Sequence, residues 1–248
     1  MGGDHALNGS IGFDRLLELD WLDLVASRLA ETRDQKAAFY DARAVVAATV
    51  GGGESHHNAT GKTLTVLSRV WLKVPTEAVG LRDAAAVALP SLEPFDRTAV
   101  HWGMCELAYP FYLDAAGIVG RATGLHDEVT LASVRSRLTD RWGARGTMPP
   151  ASQRLLQMWA RWGVLAATVD KGRYISVAPR LIGDVAGRLL AEVRVLADPN
   201  RAVDLDDLQR APDLFPFLLP DLRPILSGSV AVQLNREGGR RIVVRPVL

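Results

Sequence analysis

Apolar positions recur at helical spacing along most of this chain. In "FDRLLELDWLDLVASRLAE", residues 13–31, Leu17, Trp21, Leu24, Val25 and Leu29 fall on one side of a helix, which predicts a first amphipathic helix from Phe13 to about Glu31. Residues 34–50 predict a second, with Phe39, Val45 and Val46 on its apolar side and the glycines at 51–53 as its stop. Thr60 or Thr63 is placed to cap a third helix that runs to about Val74, where Pro75 ends it. "TEAVGLRDAAAVAL" predicts a fourth, ending before Pro90. After the proline-punctuated "LPSLEPFDR", the dense apolar run "DRTAVHWGMCELAYPFYLDAAGIVGRAT" reads as one largely buried helix, kinked near Tyr109 by Pro110.

The next stretch has a different order. "TLASVRSRLTDRWGAR" is amphipathic, with Leu131, Val134, Leu138 and Trp142 in one stripe and arginines off it. A short turn, "GARGTM", leads into "PPASQRLLQMWARWGVL", whose prolines occupy a first turn where missing donors cost nothing, with Thr147 as the expected N-cap. Then "VLAATVDKGRYISVAP" changes period: two apolar runs flank "DKG", a hairpin signal. Helix, helix, short turn, helix, hairpin is the order of a winged helix-turn-helix. The remainder repeats that outline loosely, with a helix in "PRLIGDVAGRLLAEVRVLA", proline-broken short helices, and two strands around "REGG". The expected fold is mainly α: a helical bundle over 1–92, a winged helix-turn-helix over 93–178, and a smaller helix-plus-hairpin module over 179–248.

Composition narrows the class without naming a partner. The chain has 248 residues, 48% hydrophobic and 23% charged, with formal net charge +1. That is ordinary for a globular protein with a sizeable core. One cysteine, Cys105, excludes internal disulfides and cysteine-based zinc sites. No apolar run approaches the roughly 18 residues that span a bilayer, and "MGGDHALNGS" lacks the basic and apolar regions of a secretory signal. The expected location is cytoplasmic. Charge, however, is unevenly spread. Residues 1–34 carry a net −4, residues 130–177 a net +6, and the last 23 residues a net +3. Two basic segments in a near-neutral chain point to a localised anionic partner.

Three catalytic or ligand-binding readings fail, two on spacing and one on its surroundings. "GGGESHHNATGKT", residues 51–63, suggests a phosphate-binding loop, but His56 stands where the motif needs its first glycine, and Gly53 is three residues early. The preceding run is alanine-rich and better read as helix than as the required strand. His56 and His57 are adjacent, and no third ligand lies at a useful spacing. His101 and Cys105 are four apart on one helix, but their apolar surroundings make a cysteine inert rather than nucleophilic. No catalytic residues, metal or cofactor are therefore expected.

Nucleic-acid binding fits both the charge map and the element order. A recognition helix enters the major groove by its N-terminal end, here Ser152, Gln153, Arg154 and Gln157, with Arg161 further along. These are side-chain types that bond base edges and phosphates. Arg145 and Thr147 in the turn, and Arg135, Arg137 and Arg141 on the preceding helix, suit phosphate contacts. Lys171 and Arg173 sit at the tip of the expected wing, and Arg236, Arg240 and Arg241 form a second basic group in the C-terminal hairpin. The expected partner is double-stranded DNA. The alternative is a winged-helix protein adaptor, with six tryptophans, an acidic first helix and an alanine-rich helix around 82–89 as candidate partner surfaces.

One family resemblance accompanies this reading. In "HWGMCELAYPFYLDAAGIVGR", the order of Trp102, Cys105, Tyr109, Phe111 and Asp114 resembles a helix of BrxA-like proteins, accessory components of BREX phage-defence systems. "LDWLDLVASRLAETR", "TGKTLTVLSRVWL" and "ASQRLLQMWARWGVL" are similar to other helices of that family, so the resemblance covers residues 15–177 or so. It implies a helical protein with winged-helix-like units that binds DNA without catalysis, in company with other subunits of a defence complex. The C-terminal arginine-rich hairpin lies outside the resemblance.

Overall fold

A computed structural model describes residues 11–50, 58–126, 128–198, 200–239 and 241–247. The protein is mainly helical, with eleven α-helices and three small sheets among the described residues. Helix α1 spans Leu19–Thr32 and starts later than its apolar spacing predicts. Glu18 is extended, and Phe13 and Leu17 are fully buried from a non-helical lead-in. Helix α2, Gln35–Val50, buries Ala38, Ala42 and Val46, not the expected Phe39 and Val45; Val45 is largely exposed. Helix α3, Ala59–Trp71, is capped by neither Thr60 nor Thr63. Asn58 does that work, its side chain accepting from the Gly61 amide at 2.7 Å, while Thr60 and Thr63 are buried one turn inside. A 3-10 turn at Thr76–Ala78 precedes α4, Val79–Ala88.

The expected kinked helix is two helices. Helix α5 runs Pro94–Ala108 and α6 runs Pro110–Thr123. Tyr109 between them is extended, at φ −137° and ψ 100°, the conformation that a following proline imposes. A short strand β1, Glu128–Thr130, then precedes α7, Leu131–Trp142, whose N-cap Thr130 accepts from the Ser133 amide. Helix α8, Met148–Arg161, follows a turn. Thr147 holds its N-cap position without a side-chain capping bond, which corrects that expectation. Strands β2, Leu165–Ala167, and β3, Arg173–Ser176, form the expected hairpin.

Beyond it come β4, Arg180–Leu181; α9, Asp184–Ala197; β5, Val203–Asp204; α10, Leu205–Gln209; β6, Phe217–Leu218; and α11, Leu222–Ser227. Strands β7, Val232–Glu237, and β8, Arg241–Pro246, close the chain as the hairpin expected around "REGG". The short β5 adds to it, giving the order β5-β8-β7.

The chain gathers into two compact units that interleave along the sequence. The smaller takes residues up to Leu16, Tyr109–Pro179 and Pro212–Pro216; the larger takes Leu17–Ala108, Arg180–Ala211 and Phe217–Leu248. In the smaller unit, α6, α7 and α8 carry an antiparallel sheet of order β1-β3-β2. Its core is aromatic: Phe111 meets Trp142 edge-on at 5.6 Å, and Tyr112 meets Trp159 at 5.4 Å while accepting its indole hydrogen bond. Gly120 of α6 lets the 3-10 turn Pro212–Leu214 come in close.

In the larger unit, α5 packs on α9. Gly103 makes that approach possible, since a Cβ there would meet Leu190 Cδ1 at 3.0 Å. Both the N-terminal helices and the C-terminal hairpin therefore share one unit. No helix among the described residues is long and apolar enough to cross a membrane.

Candidate nucleic-acid interface

Helix α8 divides cleanly. Ala151, Ser152, Leu155, Leu156, Met158 and Trp159 are buried. Gln153 and Arg161 are exposed, and Arg154 and Gln157 are half-buried. Steps of three and four from Arg154 through Gln157 to Arg161 keep these three on one stripe. The fold thus brings together four of the five expected groove contacts. Ser152 is the exception. It is fully buried, donating to the Met148 carbonyl at 2.9 Å and accepting from Arg135 Nε at 3.4 Å. The Ser152 hydroxyl belongs to the α7–α8 packing and not to the outer face.

The surrounding cations separate by partner. Arg135 is half-buried against Ser152. Arg141 is exposed but binds Asp114 at 2.6 Å, and Asp114 also accepts from the Trp142 indole. Arg173 is held by Glu128 of β1 at 2.5 Å and lies 3.7 Å from Asp170. Each of these two charges is thus balanced locally. Arg137, Arg154 and Lys171 have no side-chain partner among the described residues, and Arg145, Thr147 and Arg161 are exposed beside them in sequence.

The hairpin tip is braced. Gly172 has φ 80° and its carbonyl accepts from the Leu131 amide at 2.7 Å, which ties the tip to the start of α7. Beside Lys171, Val169 is completely exposed, at 102%. Sequence reasoning missed Val169, Glu128 and Asp114. Only Val169 left a signal, a branched apolar residue directly before the turn "DKG".

The C-terminal basic residues belong to the other unit. Arg241 binds Asp204 at 2.9 Å and Arg245 binds Glu237 at 2.6 Å. The Arg241 hydrogen bond holds the Asp204 carboxyl below its ordinary range. Arg236 is exposed on β7, and Arg240 lies outside the described residues.

Within the described residues, the other candidate chemistries resolve into packing. Residues 51–57, including His56 and His57, lie outside the described residues. Gly61-Lys62-Thr63 sits inside α3, where the Gly61 amide is spent on Asn58 and the Thr63 hydroxyl bonds the Ala59 carbonyl. His101 is fully buried, with Nδ1 accepting from the Trp71 indole at 3.2 Å and Nε2 against Asp23 Oδ1 at 2.9 Å. Burial pushes the imidazole below its usual pKa, against the pull of Asp23. Burial tends to raise the Asp23 carboxyl, but its bond to His101 and the charges of His101 and Arg97 outweigh that and lower it. With both ring nitrogens engaged, His101 has none to offer a substrate. Burial, and then the nearby Glu106, pushes the Cys105 thiol far above its usual range, so almost no thiolate exists near neutrality. No group of three or more His, Cys, Asp or Glu among the described residues could hold a metal ion.

Comparison with protein-family models, curated proteins and solved structures finds no match to this chain.

Proposed function

We propose that the protein binds double-stranded DNA without catalysing a reaction, through α7, α8 and the β2–β3 hairpin acting as a winged helix-turn-helix. The observation that carries this reading is the stripe of Gln153, Arg154, Gln157 and Arg161 on the outer side of α8. Glutamine and arginine are side chains that bond purine edges bidentately. In this reading α8 lies in the major groove, Arg137 and Arg145 grip the phosphates on either side, and Lys171 with Val169 forms a wing against the backbone or minor groove. The β1-β3-β2 order, with β1 before α7, supports it, because that strand closes the small sheet of a winged helix.

The same reading takes the chain as an accessory of a prokaryotic phage-defence or DNA-processing complex, on the strength of its resemblance to BrxA-like proteins. A gel shift with a mixed-sequence duplex tests it. Arg154→Ala combined with Arg137→Ala is expected to weaken binding at least tenfold, and unchanged binding would remove α8 from the interface.

A further inference from the structure

Helix α2 is rich in alanine and valine, carries Lys36, Asp41 and Arg43 as well, and buries only Ala38, Ala42 and Val46. Tyr40 is 63% exposed and Val45 43%. Beside Tyr40 a groove of about 350 Å³ runs between α2 and α3, wholly within the larger unit. Its floor is a single stripe of α3: Gly61, Leu64, Ser68 and Leu72 follow at steps of three and four. At about 1.5 Å per residue, that stripe is roughly 16 Å long, enough for about three turns of a docked helix. Phe39 and Tyr40, edge-on at 5.8 Å, form the α2 wall.

Charge marks one end of this groove. The two helices are joined through residues 51–58, and both Lys36, at the start of α2, and Lys73, just past α3, line it. Neither ammonium has a partner among the described residues. Lysine is scarce in this chain: beside 25 arginines there are four, and two of those are here. Of the hydroxyls that line it, that of Thr65 is already bonded, to the Gly61 carbonyl at 2.9 Å. The groove therefore offers apolar contact along its length, with Lys36 and Lys73 together at one end.

We propose that this groove docks an amphipathic helix of a partner protein. The helix places apolar side chains at i, i+3 or i+4, and i+7 on the α3 stripe and carboxylates at the end that meets Lys36 and Lys73. The length of the stripe and the apolar face of α2 that continues past it favour a helix over a small anionic amphiphile. Tyr40 is the expected anchor, as a large amphipathic ring at the centre of the contact. The proposal stands apart from DNA binding, since it concerns the other unit.

The test uses two synthetic helical peptides with the same leucine face, one ending in a pair of glutamates and the other in a pair of lysines, read by fluorescence anisotropy against the full chain. The glutamate peptide is expected to bind and the lysine peptide at least tenfold more weakly. Tyr40→Ala should weaken the glutamate peptide about tenfold or more. The double variant Lys36→Glu with Lys73→Glu should reverse the preference between the two peptides. All three substitutions are on the surface, and unchanged melting and unchanged duplex binding confirm that the variants are folded. No binding of the glutamate peptide at about 1 mM, or equal binding of both peptides, overturns the proposal. So does displacement of the glutamate peptide by dodecanoate with no change on Tyr40→Ala, which would make the groove a small-molecule site.

Discussion

His101 and Ser152 show how one side chain's surroundings decide its role. The Trp71 indole donates to His101 Nδ1, so the ring is neutral with its proton on Nε2, facing Asp23. Protonating Nδ1 would set two donors against each other in a buried site. The folded-state pKa lies below the ordinary 6.5, so the unfolded chain binds the extra proton first. The His101 contribution to stability is therefore complete above about 6.5 and drains away as pH falls through that value. Glu192 acts in the opposite sense, because burial raises its carboxyl above 4.5 despite Ser229 and Arg188. The histidine's share is read from a difference. Between pH 7.5 and 5.5, by thermal melting at about unit steps, wild type should lose more stability than His101→Gln; parallel curves would show that His101 does not titrate there. For Ser152, whose hydroxyl bridges Met148 and Arg135, Ser152→Ala should cost about 1 kcal/mol in a urea melt. Duplex affinity should be unchanged. A loss of affinity without loss of stability would return Ser152 to the interface.

Among the elements, long periodic helices were legible and local breaks were not. Helical spacing foretold α2, α7 and α8 closely, and the period change foretold both hairpins; the helix expected over 179–197 begins only at Asp184, because Arg180–Leu181 are taken up in β4. The spacing placed the start of α1 too early because Phe13 and Leu17 match the apolar pattern while being buried from a non-helical lead-in. The break at Tyr109 was read as a kink because Pro110 can be absorbed in a bent helix; here it begins a new one. Strands β1, β5 and β6 are two or three residues long, too short for any alternation to show. The α8 stripe was legible as a face, but Ser152 was assigned to it by its position near the N-terminus. Its place in the core depends on Arg135 reaching across from α7, which spacing does not reveal.

Gly120 is a sharper case. In a helix interior, glycine to alanine normally stabilises by about 1 kcal/mol. A Cβ at Gly120 would instead lie far inside van der Waals contact with the Pro212 carbonyl oxygen. Gly120→Ala should therefore destabilise by about 2 kcal/mol or more, seen as a lower melting midpoint; a rise would mean that the 3-10 turn Pro212–Leu214 does not pack on α6 as described.

Across the whole molecule, net charge says little and local pairing says more. The segment 130–177 has a net +6, but Arg141 and Arg173 are balanced by Asp114 and Glu128. Both acids lie outside the segment that the sequence singled out, so the sum overstated the cations available to a partner. The C-terminal group shrinks in the same way, through Asp204 and Glu237. What remains in the smaller unit is a modest set around α8 and the hairpin tip, and the proposed DNA binding through it is expected to have a correspondingly modest salt slope. The most direct measurement is duplex affinity across a salt series for wild type and for Arg137→Ala, Arg154→Ala, Lys171→Ala combined. Log affinity of wild type should fall with log salt at a slope of roughly −3 to −5, and the triple variant should flatten it by about 2 units, one each for Arg137 and Lys171 against the backbone, while the loss of Arg154 lowers affinity at every salt concentration. Absence of duplex binding by wild type at low salt, or the same slope in both proteins, would contradict the account.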